Sequence, residues 1–419
     1  MKRLSRIIIK GGQSLSGTVK VSPAKNAVLP IIAASLLSKT PCLLEEVPDL
    51  ADVRTICSVI EFLGARVEKE GAGLKISTPL VENNEAPYEF VRMMRASFLI
   101  MGPLLARTGR AKISTPGGCA IGTRPIDLHL KGFCLLGADI KQGQGFIEAR
   151  ADHMVGSRIY LDYPSVGATE NIMMAASMAR GTTIIENAAE EPEVVDLANY
   201  LNTMGARIKG AGTKIIRVEG VDELSGSEYS VIPDRIEAGT FLAAVAAAGG
   251  DVVVDNVISG HINPVLAKLQ ESGVNVEDGE GYVRISGGGG LLPTDIKTMP
   301  YPGFPTDMQP QFMSMMVLAG GTSVITETVF ENRFMHVNEL KRMGARIKVS
   351  GRTVIVQGVE KLTGAKVKAT DLRAGAALTI AGLAAEGTTE ISNIYHIDRG
   401  YEKFVEKLQG LGADIIRKD

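Results

Sequence analysis

Six stretches of this chain are apolar all the way round a helical wheel, and the same succession of simpler patterns follows each one. They read AKNAVLPIIAASLLSKT, RASFLIMGPLLARTG, SVGATENIMMAASMARG, RIEAGTFLAAVAAAGG, TDMQPQFMSMMVLAGG and TDLRAGAALTIAGLAAEG. Helices without a polar face are buried helices. Behind each comes a strand-like run, such as Thr183-Ile184-Ile185-Glu186-Asn187 or Ser323-Val324-Ile325-Thr326. An amphipathic helix follows, for example NPVLAKLQESG over 263–273, and then two short strands about a glycine turn, as in ARIKVSGRTVIVQG.

One short phrase closes the amphipathic helix in every copy: Leu63-Gly64-Ala65, Leu136-Gly137-Ala138, Met204-Gly205-Ala206, Ser272-Gly273-Val274, Met343-Gly344-Ala345 and Leu411-Gly412-Ala413. These glycines lie 68 to 73 residues apart, longer than the ~20–50 residue period of solenoids. Each copy is therefore a small α/β unit, with sheets outside and apolar helices inside. The sixth copy stops at Ala413-Asp414-Ile415-Ile416, and its missing strand sits at the other end of the chain. Ile7-Ile8-Ile9-Lys10-Gly11-Gly12 aligns with Val354-Ile355-Val356-Gln357-Gly358-Val359. Copies one to three (22–231, with the cysteine loop at 119) are expected to form one domain. Residues 1–21 with 232–419 form the other. Two crossings of the chain between them predict a hinged cleft.

Composition narrows the partners. The 419 residues are 45 % hydrophobic and 22 % charged, with a formal net charge of −2, which argues against a nucleic-acid partner. The opening MKRLSRIIIKGG is too short in apolar residues for a signal peptide, and no stretch reaches a membrane span. A cytoplasmic monomer is the expectation. Cys42, Cys57, Cys119 and Cys134 lack metal-ligand spacing, as do the five histidines. No metal or other cofactor is expected.

Polar residues gather where the buried helices begin: Lys25-Asn26, Arg95, Ser165, Asp234-Arg235, Asp307, and Asp371 with Arg373. Helix N-termini attract anions, so a cleft collecting several would take phosphates or carboxylates. Asp234, Asp307 and Asp371 stand at equivalent positions in three copies, where the ordinary reading of an aspartate is an N-cap. Pro116-Gly117-Gly118-Cys119-Ala120-Ile121-Gly122-Thr123-Arg124-Pro125 is a glycine-rich loop unlike its siblings. A cysteine there beside Arg124 suits acid, thiolate or nucleophile chemistry. Cys42, Cys57 and Cys134 read as small buried hydrophobes.

RASFLIMGPLLARTG with PGGCAIGTRPIDLH (95–129) resembles the signature of the UDP-N-acetylglucosamine 1-carboxyvinyltransferase family. So do AKNAVLP, SVGAT, NAAEEPEVVD, PDRIEAGTF, FPTDMQ, TETVFENRFMH, ATDLRAG and YHIDRGY. The resemblance covers essentially the whole chain. It implies a two-domain inside-out α/β barrel built from six repeats, three per domain. It also implies metal-free transfer of enolpyruvyl from phosphoenolpyruvate to the 3-hydroxyl of UDP-N-acetylglucosamine. By the same resemblance Lys25, Arg124 and Arg399 cradle the donor, and Arg95, Arg333 and Arg373 complete the cationic lining. Asp307 accepts or orients the hydroxyl proton. Cys119 is proton donor, covalent partner or aid to product release, and Asn26 holds the sugar. Arg124, Pro125, Asp127, Leu128, His129, Ser165, Val166 and Gly167 grip the UDP part, and Asp307 with the main chain near Val329 contacts the sugar nucleotide. Asp49, Ala51 and Tyr163 stand where many relatives carry lysine. The rival readings are a shikimate 3-phosphate enolpyruvyl transferase, whose pattern lacks the cysteine loop, and an idle UDP-sugar-binding regulatory paralogue. A repeat-built clamp would need a basic inner face that this composition does not offer.

Overall fold

The computed structural model describes residues 5–86, 88, 95–114, 121–122, 126–143, 145–288 and 290–418. Their strands form six four-stranded sheets with one common order. In the third copy Arg158–Tyr160 runs parallel to Thr182–Glu186, Ile215–Glu219 pairs antiparallel with the latter, and Arg207–Lys209 lies at the far edge. The alternation of Thr182–Glu186 buries Thr183 and Ile185 and turns their neighbours outward, as a strand with one covered face requires.

The strand missing from the sixth copy is supplied by the N-terminus, as the alignment predicts. Arg6–Lys10 lies between Thr388–Ser392 and Asp414–Lys418, with Ile7 opposite Ile391 and Ile8 opposite Ile416. A second exchange was not legible in the pattern. The parallel edge strand of every sheet is the segment that has just left the preceding copy. Glu228–Tyr229, at the end of copy three, thus pairs with Cys42–Leu44 of copy one. Leu15–Lys20 leaves the sixth sheet and pairs with Gly250–Asp255 of the fourth. Each set of three copies closes on itself, so it leaves no unmatched first or last repeat.

The chain divides into two compact units, residues 23–118 with 124–232, and residues 1–22 with 119–123 and 233–419. Of the stretch around Cys119 only Ile121 and Gly122 are among the described residues, and Asn332 N–H donates to Ile121 O at 3.1 Å. Each unit has its own apolar core. The inner helices fill these cores. Arg235–Ala248 buries every residue from Ile236 to Ala246, and Leu372–Ala384 every residue from Arg373 to Leu383. These two pack on each other and on Gln309–Met316. Small side chains permit the approach: a Cβ on Gly239 would lie 2.8 Å from Met308 Cε.

The repeated phrase has one structural cause. All six of its glycines are left-handed, with φ from 80° to 109°. The following residue donates its N–H to the carbonyl five positions back at 2.9–3.2 Å, from Ala65 to Ile60 through Ala413 to Leu408. This Schellman closure satisfies end carbonyls of the outer helix and turns the chain into the next strand. Nothing lies within 4 Å of a Cβ built on Gly344, so Gly344→Ala adds backbone strain alone. We expect a loss of about 1 kcal/mol and a melting temperature roughly 2–4 °C lower. An unchanged melting temperature would refute this account of the phrase.

Candidate functional site

Asp307 is the centre of a charged cluster in the unit of copies four to six. It lies in the single tight turn Thr306–Met308 that leads into the helix Gln309–Met316. Arg333 Nη2 lies 2.8 Å from its Oδ1. Arg373 donates from Nη2 and Nε to its Oδ2, at 3.0 and 3.2 Å. The two guanidiniums are 4 % and 2 % exposed against 25 % for the aspartate side chain. Burial works against the charge on Arg373, but Tyr401, Asp307 and Asp234 outweigh it and the net shift is upward. The Arg373 guanidinium also lies 5.2 Å from the centre of the Tyr401 ring. Tyr401 OH shares hydrogens with Thr240 at 2.9 Å and receives one from Gln311 at 3.2 Å.

The equivalence of Asp234, Asp307 and Asp371 breaks here. Asp234 Oδ1 caps its helix through the N–H groups of Ile236 and Glu237, two and three positions on. Asp371 Oδ1 does the same with Arg373 and Ala374. Three positions after Asp307 stands Pro310, which has no N–H to give. Neither the turn nor the helix carries a side-chain cap. Loss of that donor removes one of the two N–H groups that hold the equivalent aspartates, and Arg333 and Arg373 hold this carboxylate.

The remaining sequence candidates fall into groups. Arg399 ends the helical turn Ile394–Arg399 and its cation, after burial, helps to push the His396 ring down. Val329 offers its N–H to Glu327 Oε1 at 2.8 Å, and Glu331 lies beside Gly122 of the loop. In the other unit Lys25, first residue of the helix Lys25–Ala34, is paired at 2.7 Å with Asp52, while Asn26 on the same helix is exposed. Asp127, Leu128 and His129 open the helix Asp127–Leu135. Ser165 caps the helix Val166–Ala176 through Ala168 N–H. The two helix starts meet where a Cβ on Gly167 would lie 3.3 Å from His129 Cε1. His129 Nδ1 bonds Asn171 Nδ2 at 3.1 Å and its ring meets Phe98 edge-on. Arg95 begins the turn Arg95–Ile100. Cys119, Arg124 and Pro125 lie outside the described residues.

Sequence reasoning missed Asp52, Thr306, Glu327 and Tyr401. Three of these lay inside stretches that carry the resemblance, Thr306 in FPTDMQ, Glu327 in TETVFENRFMH and Tyr401 in YHIDRGY, but none was singled out. The other cysteines are poor nucleophiles at neutral pH where they titrate abnormally. Burial pushes Cys57 up to about 12, and Cys134 is raised by partial burial and by Asp139. Cys134 is exposed rather than a buried hydrophobe, because it lies on the outer face of Asp127–Leu135. Among the described residues no group of three or more His, Cys, Asp or Glu could hold a metal ion.

The chain matches the family described as EPSP synthase (3-phosphoshikimate 1-carboxyvinyltransferase) over residues 9–408. It is 62 % identical over 414 residues to UDP-N-acetylglucosamine 1-carboxyvinyltransferase 1 of Caldanaerobacter subterraneus, covering 99 % of this chain and 100 % of the relative. It is 61 % identical over 416 residues to UDP-N-acetylglucosamine 1-carboxyvinyltransferase 2 of Carboxydothermus hydrogenoformans, covering 99 % of each. Among solved structures the enolpyruvyl transferase NikO from Streptomyces tendae matches at 26 % identity with a TM-score of 0.90 over 99 % of both chains. The EPSP synthase of Acinetobacter baumannii shares the fold, at 19 % identity and a TM-score of 0.78 over 99 % of this chain and 100 % of its own.

His336, buried behind Arg333, gives a test of the local electrostatics. Burial, aided by Arg333 and opposed by Asp371, takes its ring from 6.5 down to about 4. The fold therefore prefers the neutral ring. The stability it contributes is complete above about pH 6.5 and is lost as the pH falls towards 4. An NMR titration should show the His336 ring carbons unmoved until near pH 4; a midpoint near 6.5 would contradict the burial described.

Proposed function

The chain belongs to the UDP-N-acetylglucosamine 1-carboxyvinyltransferase family, and from that membership we propose that it transfers the enolpyruvyl group of phosphoenolpyruvate to the 3-hydroxyl of UDP-N-acetylglucosamine, releasing phosphate. In a cell this is the committing step of peptidoglycan synthesis, and we assign the protein to the cytoplasm as a monomer. The observation that carries the reading is the identity of 62 % over the full length of a relative of that name. The family model that matches residues 9–408 is described by the shikimate 3-phosphate activity, but the solved EPSP synthase is only 19 % identical and shares the fold alone. The idle paralogue is disfavoured by the charged cluster, since Asp307, Arg333 and Arg373 are in contact.

In this proposal Lys25, Arg124 and Arg399 take the phosphate and carboxylate of the donor, with Arg95, Arg333 and Arg373 adding positive charge. Fixed cations suit a donor trianion because they need no reorganisation as charge moves. Asp307 takes the proton from the sugar hydroxyl as its oxygen bonds to the central carbon of the donor. Cys119 gives a proton to the methylene carbon, so a tetrahedral ketal forms. Loss of a proton from the new methyl group then expels phosphate and restores the double bond. Asn26 holds the sugar. Arg124, Pro125, Asp127, Leu128, His129 and Ser165 to Gly167 are assigned to the UDP part, with Val329 on the sugar nucleotide. The contact of His129 with Gly167 supports a shared task for those two helix starts. The chemistry as written uses protein groups alone, with no cofactor.

Phosphate release should be seen with UDP-N-acetylglucosamine and be absent with shikimate 3-phosphate; the reverse preference would overturn the reading. Asp307→Ala should lower kcat by ~10²–10⁴-fold, the range for a lost acid–base group, and wild-type turnover would remove it as base. An epoxide analogue of the donor should label Cys119 alone, as peptide mass mapping would reveal. The raised pKa of Cys57 and Cys134 argues against either as a competing target, and label on either would count against Cys119.

A further inference from the structure

The residue that follows the central strand of a sheet is asparagine in copies three, four and six: Asn187, Asn256 and Asn393, all left-handed with φ of 53°, 61° and 59°. Two of them tie the sheet to its parallel edge. Asn187 Nδ2 donates to Leu161 O at 2.7 Å and Asn256 Nδ2 to Val21 O at 2.9 Å. Copy five has Glu327 in that place, with ordinary backbone and no exposure. It still reaches the residue after the edge strand, accepting from Thr298 Oγ1 at 2.8 Å. The same oxygen receives the N–H groups of Val329 and Phe330 at 2.8 and 3.1 Å. The other oxygen, Oε2, accepts from Thr306 Oγ1 at 2.9 Å. Burying a carboxylate is costly unless every lone pair finds a donor, and here hydroxyls and amides supply them.

The last of these bonds leads to Asp307. Arg333 Nη1 donates to Thr306 Oγ1 at 3.0 Å while its Nη2 holds Asp307. A guanidinium never accepts, so the Thr306 hydroxyl must point its own hydrogen elsewhere, and Glu327 Oε2 is the acceptor in reach. The chain of donors therefore has one direction: Arg333 to Thr306, Thr306 to Glu327.

We propose that Glu327 is a positioning residue for the Asp307–Arg333 pair, acting through the hydroxyl of Thr306, a proposal that rests on the reading of Asp307 as the base. Glutamine at 327 would have to keep its carbonyl towards the two backbone N–H groups. Its amide would then face Thr306 as a donor, and the hydroxyl hydrogen would lose its acceptor and its fixed direction. Removing the hydroxyl removes the same support from Arg333.

The test uses phosphate release by the full chain and its variants Glu327→Gln, Thr306→Val, Thr306→Ser and the double variant Glu327→Gln/Thr306→Val. Both Glu327→Gln and Thr306→Val should lower kcat by ~10–100-fold, as small misplacements of reacting groups do, with KM moving much less. Thr306→Ser, which keeps the hydroxyl, should be close to wild type. The double variant should be no worse than the poorer single one, because the two changes break one chain. Wild-type kcat in either single variant, or losses that multiply in the double, would overturn the proposal. If Glu327→Gln does not fold, the contrast between valine and serine at 306 decides alone. A wild-type chain that releases no phosphate would count against the proposed reaction. The positioning claim would then stand or fall on NMR of the Arg333 guanidinium, whose hindered rotation should be lost in Thr306→Val.

Discussion

Two buried guanidiniums sharing one carboxylate set the terms for half of this molecule. An unpaired cation at 2–4 % exposure would cost several kcal/mol. Arg333 and Arg373 are tolerable only because Asp307 answers both, with the Tyr401 ring and the Asp234 charge adding to the balance at Arg373. Those partners come from three different copies: Asp234 opens the inner helix of copy four, Asp307 that of copy five, and Arg373 that of copy six. The cluster thus fixes the starts of three packed helices against one another. Each also carries the partial positive charge of a helix N-terminus.

That convergence is a consequence of the repeat. Every copy uses the same order of four strands, and every parallel edge strand is borrowed from the copy before. Inner helices of equivalent copies must then run in the same sense, and their beginnings come to the same end of the unit. Three-fold repetition brings the residues of this cluster together without any one repeat containing it. The left-handed glycines of the repeated phrase hold this in register, because a shift of one residue would turn each buried strand face outward.

Much of this was legible in the sequence because it rests on period and composition. The buried helices, the six-fold phrase and the strand lent by the N-terminus each follow from pattern alone. The two-residue edge strand Glu228–Tyr229 did not, since two residues show no period and the pairing is made across the unit. Asp307 was found by resemblance, whereas pattern favoured an N-cap role for it, as for Asp234 and Asp371. What separates them is a missing N–H at Pro310, which matters only once the cap geometry is known. Thr306 and Glu327, though inside stretches that carry the resemblance, and Asp52 were passed over for a related reason. Single polar residues beside a strand or at a helix start are common, and their importance lies in which neighbour the fold sets opposite them.

Copy five concentrates the departures from the repeat. Proline stands where copies four and six offer a capping N–H, and glutamate stands where those two copies place a left-handed asparagine. Each change alone would weaken the scaffold, one by leaving a helix start uncapped and the other by burying an acid. Together they are consistent. The uncapped aspartate is taken up by Arg333, Arg333 needs a further acceptor for its second nitrogen, and Thr306 provides it only because Glu327 takes the hydroxyl hydrogen. Copies four and six of the same unit keep both the cap and the asparagine. The scaffold has instead exchanged two local satisfactions for one carboxylate held in a fixed direction by two buried arginines.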